Sequence, residues 1–196
     1  MNLLTRIINS LRRAPEGEFV GRCKTRDVAF QFRMGAGFPG DVNRTHPASI
    51  LPCLADPTNP PLLFGEPVVT VAASNGVRAL LSSDTVLTAI YGITVRPYPS
   101  QSSATAFGTG GPDSYYGFPI GAVDVLRSGF IMGTLGGSVA ATKGLPVNVW
   151  IAASTGTHVQ GTFEASVTAG STIPVANAFF NGPADANGVV EIDFNS

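Results

Sequence analysis

From Glu66 to the end of the chain, glycine, proline, serine and asparagine interrupt the apolar residues so often that no long helix can form. What remains between the interruptions are short β-rich runs: PVVTVAA, VRALL, TVLTAIYGITVRP, VDVLRSGFIMGTL, LPVNVWIAA, GTFEASV, TIPVA and GVVEIDF. Short runs of β-branched and aromatic residues separated by turn residues predict an all-β fold, a β-sandwich or barrel of jelly-roll type. Alternation within the runs assigns faces. Val147, Val149 and Ile151 share one side of a strand, with Asn148 and Trp150 on the other, and Val190, Ile192 and Phe194 alternate with Glu191 and Asp193. One face of each strand is expected in a core and the other against solvent or a partner.

The first 65 residues follow different rules. MNLLTRIINSLRR places Leu4, Ile8 and Leu11 on one helical stripe with Leu3 and Ile7 beside it, so residues 1–15 are expected to form an amphipathic helix that Pro15 ends. Thr5, Arg6 and Asn9 break the apolar run before it reaches the ~7–15 residues of a secretory signal, and the stretch is too short to span a bilayer. Over residues 16–65 only VAFQF (28–32) alternates like a strand. Pro39, Pro47, Pro52, Pro57, Pro60 and Pro61 push the residues before them toward extended conformations. This segment is expected to be a long arm laid over a surface, with Ile50, Leu51, Leu54, Leu62, Leu63 and Phe64 to bury, and residues 66–196 form the β-rich domain.

Charge divides at the same place. Residues 1–33 hold seven basic and three acidic residues, whereas the remainder holds five basic and ten acidic, which hides inside a net charge of -1. A basic arm on an acidic body suits attachment to a partner, and the acidic β-rich part argues against nucleic acid. Charged residues are only 13% of the chain, against ~25% in an average soluble domain, as expected of a surface that packs against neighbours. Cys23 and Cys53 do not make a disulfide framework.

Motifs that could carry chemistry fail on context. GAGFPG (35–40) has the letters of a dinucleotide fingerprint, but Pro47 and Pro52 follow where a helix must start, so a turn is expected. His46 and His158 are the only imidazoles, no G-x-S-x-G is present, and no nucleophile, base and acid set can be assembled. Cys23, Cys53, His46 and His158 lack zinc-ligand spacing. Asn43 opens a formal glycosylation acceptor that matters only on a secreted chain. In DANG, Gly188 comes three residues after Asp185, whereas a calcium loop needs its glycine five residues on, so Asn187 and Gly188 are expected to supply the positive φ angles of a tight turn.

Several phrases in order, GFPGDVNR, LFGEPVV, VDVLRSGFIMGTL, KGLPVNVWIAAS, GTFEAS and the closing AFFNGPADANG with its EIDFN strand, resemble the head cement, or decoration, proteins of tailed bacteriophages. The resemblance runs from about Gly35 to Asn195 and does not reach the first 30 residues. It implies a protein without catalytic activity, cofactor or metal, made in the host cytoplasm and carried on the outer capsid surface of the virion. There it would bridge and stabilise major capsid protein subunits, as a homo-oligomer, dimer or trimer, with neither nucleic acid nor membrane as partner. Under that reading Leu4, Arg6, Ile8, Leu11, Arg12, Arg13, Arg44, Ile50 and Leu51 are the expected capsid contacts. The rival from another class is a phage receptor-binding or carbohydrate-binding β-sandwich module, in which Tyr115, Tyr116 and Phe118 of the 100–119 loop would stack on a sugar.

Overall fold

A computed structural model describes residues 37–42, 44, 47–96 and 121–195, all within the unit Gly35–Ser196. The expected helix over 1–15, the VAFQF strand and the 100–119 loop lie outside the described residues. Among the described residues, nine strands make one antiparallel sheet: β1 (Ser49–Leu54), β2 (Pro67–Val71), β3 (Gly76–Ala79), β4 (Gly92–Thr94), β5 (Ala122–Thr134), β6 (Pro146–Trp150), β7 (Phe163–Glu164), β8 (Thr172–Phe180) and β9 (Val189–Asn195). Their spatial order is β3-β2-β4-β5-β9-β8-β6-β7, with β1 also paired to β5.

The sheet curls strongly into a half-barrel, because its two ends turn back toward the middle. At one end a parallel bridge joins Ala55 to Val77, and Asp56 N–H donates to the Val77 carbonyl at 2.8 Å. At the other, Leu135 bridges Phe163 and Gly136 N–H donates to the Phe163 carbonyl at 2.7 Å. These are single bridges and not ladders, so in place of the expected sandwich or barrel there is one all-β sheet curled into a half-barrel. The reason lies in β5, whose 13 residues are paired by β1 over 122–128 and by β9 over 128–134. One strand thereby serves both halves, and no second sheet is needed.

β5 also changes faces along its length. Val123 and Val125 enter a smaller cluster with Phe64, Val68 and Val77, whereas Leu126 and Ile131 enter the main core. Leu126 and Ile131 are an odd number of residues apart, so the alternation slips once between them. Ser49 pairs with Ser128 while Ile50 pairs with Leu126, leaving Arg127 as the extra residue of a β-bulge, and Gly129 follows at φ +132°. β8 slips in the same way: Ile173 and Val175 point inward, then Ala178 and Phe180, with Asn177 at φ +52° in between. The sequence separates TIPVA from AFFNG, but the bulge makes them one strand.

Two further expectations are corrected. TVLTAIYGITVRP is strand only over Gly92–Thr94, because the side chains of Asp84 and Thr85 hydrogen-bond nearby backbone and fold residues 81–88 into two turns. The second face of β6 does not meet solvent. Asn148 and Trp150 are buried, since β7 pairs with Asn148 and Val149 and the His158 ring stacks on Trp150 at 4.2 Å between centroids. The described part of GAGFPG, residues 37–40, closes as a turn, with Asp41 N–H donating to the Phe38 carbonyl at 3.0 Å and Gly40 at φ +84° after Pro39. The terminal turn differs in detail from expectation: of Asn187 and Gly188 only Gly188 has positive φ, and Asp185 Oδ1 accepts from Asn187 N and Val189 N, both at 2.9 Å.

Gly92 opens β4, which is paired with β5. A Cβ there would lie 2.3 Å from Val125 Cγ1 and 2.5 Å from the Leu126 carbonyl oxygen, a backbone atom that cannot yield cheaply. Gly92→Ala is therefore expected to destabilise by about 1–3 kcal/mol and lower the urea midpoint. Gly182→Ala, with open space at its Cβ, leaves the midpoint unchanged.

Candidate functional site

β1 is built unlike the other long strands: Ile50, Leu51, Pro52 and Leu54 are all exposed, so neither face of the strand is covered along its length. Its hydrogen-bonding parity follows from Ala55, whose N–H donates to the Gly121 carbonyl at 2.8 Å. Leu51 and Cys53 then also turn their backbone groups to β5, and Ile50, Pro52 and Leu54 turn theirs away. Proline lacks a donor, so Pro52 sits where its absence costs no ladder bond and where it blunts the edge against strand addition. A partner would meet this strand through side chains. The row Ile93, Leu126, Ile50 shows where the core stops, for the first two are fully buried and Ile50 is 41% exposed. Leu54, 62% exposed, extends the same apolar stripe.

The sequence-predicted contacts divide accordingly. Ile50 and Leu51 stand together on β1 as exposed apolar residues. Arg44 is on the surface but engaged: its guanidinium donates to Glu191 at 2.6 and 2.5 Å and lies over the Phe130 ring, 4.7 Å from the centroid. Burial alone would raise the Glu191 carboxyl, but the hydrogen bonds from Arg44 and Asn181 outweigh it and hold the group below its ordinary value. Leu4, Arg6, Ile8, Leu11, Arg12 and Arg13 lie outside the described residues, as do Tyr115, Tyr116 and Phe118 of the sugar-stacking alternative. The sequence reading counted Leu54 among the apolar residues of the arm but not among the contact candidates, and it stands exposed on β1 with Ile50 and Leu51. Its signal was the proline two residues earlier, which favours an edge strand over a core one.

The clusters with chemical potential are structural in geometry. His158 Nδ1 is 2.9 Å from Glu164 Oε1, and that carboxylate is buried. Around the pair, Thr162 spends its hydroxyl on the Val159 carbonyl at 2.7 Å and Trp150 Nε1 donates to the Ala153 carbonyl at 3.3 Å. The pair thus clamps the loop between β6 and β7. Among the described residues, no group of three or more His, Cys, Asp or Glu is placed to hold a metal ion, and no helix is long and apolar enough to cross a membrane.

Among the described residues, Glu66 is the most perturbed acid. Desolvation by burial pushes its carboxyl up to about 7, against the N–H groups of Leu63 and Leu62, which donate to Oε2 at 3.0 and 3.1 Å. The folded chain therefore keeps this proton to about pH 7, whereas an unfolded chain releases it near 4.5. Stability from the neutral form is complete below about 4.5 and is lost as pH rises through about 7, amounting to about 3 kcal/mol. Urea unfolding at pH 5 and pH 8 should show that loss, and Glu66→Gln, which cannot ionise, should abolish it and be the more stable form at pH 8.

Comparison with known proteins gives a family and a fold. A family model described as structural cement protein (E217 gp24/Pam3 gp6) matches residues 27–195. A solved chain from the capsid of Myoviridae phage XM1 superposes with a TM-score of 0.61 at 21% identity, covering 83% of this chain and 92% of that one. No curated protein matches.

Proposed function

This chain belongs to the phage structural cement protein family, a non-enzymatic family, and from that membership we propose that it binds the outer surface of an assembled capsid and bridges neighbouring major capsid protein subunits. The observation that supports this reading best is β1, an edge strand with apolar side chains on both faces and a proline that discourages open-ended strand pairing. In this reading Ile50, Leu51 and Leu54 bury their side chains against the shell. Residues 1–15 bind as an amphipathic helix through Leu4, Ile8 and Leu11, and Arg6, Arg12 and Arg13 meet acidic capsid surface. Arg44, held on Glu191, anchors the chain that leads into β1. The extended part of 16–65 adds contact area, and a dimer or trimer matches the repeated sites of a symmetric shell.

The shell gains stability by mass action, because the protein binds assembled subunits and not dissociated ones. Purified expanded heads lacking the protein provide the test. Added protein should raise the temperature at which heads rupture. Deleting residues 1–33 should weaken binding about tenfold at low salt and much less at high salt, where charge attraction is screened. Unchanged binding by the truncated chain would sink the arm, and failure of the full chain to bind heads would sink the capsid reading itself.

A further inference from the structure

We propose that the turn Asp84–Thr88 is a preformed apolar knob whose Val86 and Leu87 seat in an uncharged apolar recess of the capsid subunit. This rests on the capsid reading above and adds a contact far in sequence from β1 and from the basic segment.

Exposure and order are mismatched at this turn. Val86 is 68% exposed and Leu87 91%, side by side at the tip of a loop, so neither side chain serves the chain's own core. Single exposed apolar residues are ordinary. These two, however, are carried by a backbone that is hydrogen-bonded on either side of Val86. Asp84, buried, accepts from Leu81 N at 2.7 Å and from both terminal nitrogens of Arg78 at 2.9 and 2.6 Å. Thr88 N–H donates to the Thr85 carbonyl at 2.8 Å, Thr85 N–H donates to Thr88 Oγ1 at 3.0 Å, and Leu87 N–H donates to Thr85 Oγ1 at 3.3 Å. Below the turn, Leu80 and Ile90 pack into the main core, Gln160 Nε2 donates to the Leu80 carbonyl at 3.3 Å, and Tyr91 N–H donates to the Val68 carbonyl at 2.8 Å.

A loop with no binding role has no need of such bracing to display a leucine. A binding tip gains from it, because the ordering cost of the backbone is already met in the free protein. The chemistry of the tip selects the partner. From Thr85 to Val95 there is no charged residue, and the exposed flank is Ser82, Ser83, Thr85 and Ala89. Nucleic acid or an anionic lipid surface would call for basic residues here. An apolar recess rimmed by neutral groups on a protein matches what is present. Its contribution is therefore insensitive to salt, unlike that of the basic segment.

The experiment uses the full chain and the expanded heads of the preceding test. Leu87 is almost wholly exposed, so Leu87→Ala and Leu87→Asp should leave thermal unfolding of the free protein unchanged. Leu87→Ala should weaken head binding about tenfold, and Leu87→Asp, which carries a charge into an apolar recess, about a hundredfold or more. Both losses should persist at high salt. Wild-type binding that Leu87→Asp leaves intact would overturn the knob while sparing the capsid reading. A change in sedimentation of the free Leu87→Asp protein, with head affinity unaltered, would overturn it in favour of a second copy as the occupant. If the wild-type chain does not bind heads, both readings fall together.

Discussion

One extra residue in β5 sets the shape of this molecule. A strand without the bulge at Arg127 would turn Leu126 and Ile131 to opposite sides of the sheet. With it, both join a single core, while Val123 and Val125 remain free to build a second cluster on the other side. Each of these side chains is worth roughly 1.5–3 kcal/mol when fully buried. The slip in register therefore decides the fate of several such contributions at once. It also bends the strand, so that β9 follows its second half and β1 and β4 its first. The curl of the whole sheet, and the return of β7 to Leu135, follow from that bend.

The ionisable groups near the core are handled locally. Asp84 is forked by Arg78 and kept below its ordinary range: burial would raise it, but the hydrogen bond and charge of Arg78, with Leu81 N–H, prevail. Arg96 solves the problem differently. Nε and Nη1 are buried without a hydrogen-bond acceptor, but the guanidinium lies over Phe38 at 4.7 Å and Phe64 at 5.6 Å from the ring centroids. Two ring faces provide cation–π attraction in place of acceptors. Glu66 takes the third course, favouring its neutral form, and so works against the acids that prefer to be charged. These groups titrate in different windows: Glu66 weakens the fold on the way up to neutrality, whereas Glu191 and Asp84 weaken it only when acid protonates them below the ordinary carboxylate range.

Most strands could be read from the sequence because alternation and turn residues act over a few neighbours. The inward set Val190, Ile192 and Phe194 is one such case. Where the reading failed, a longer-range or side-chain effect had intervened. In TVLTAI the β-branched residues imitate a strand, yet the carboxylate of Asp84 and the hydroxyl of Thr85 satisfy the backbone first. Trp150 looked like an outward residue because nothing local announces that His158, eight positions on, folds back over it. Of the proposed contacts, Ile50 and Leu51 were visible as apolar residues in a proline-rich stretch, whereas Val86 and Leu87 were read only as part of a strand. An apolar residue does not declare its burial. Only the ladder around it, or the lack of one, decides that.

The modest size of the exposed apolar set is itself informative under the capsid reading. A large greasy face would hold each copy tightly, but the free protein would then aggregate before a shell exists to receive it. A cement protein acts in many copies, and each occupied site stabilises the assembled state by only RT ln(1 + [L]/Kd), about 2.7 kcal/mol at a hundredfold excess over Kd. A few side chains such as Ile50, Leu54 and Leu87, each contributing roughly 1.5–3 kcal/mol if fully buried, suffice for moderate affinity once binding costs are met. The acidic surplus outside residues 1–33 disfavours nonspecific association between those parts of different copies. On a shell it costs little, because salt screens exposed charges beyond about 8 Å. Under the capsid reading, small apolar contacts on a braced, weakly charged half-barrel therefore suit a chain that must not aggregate before a shell is there to receive it.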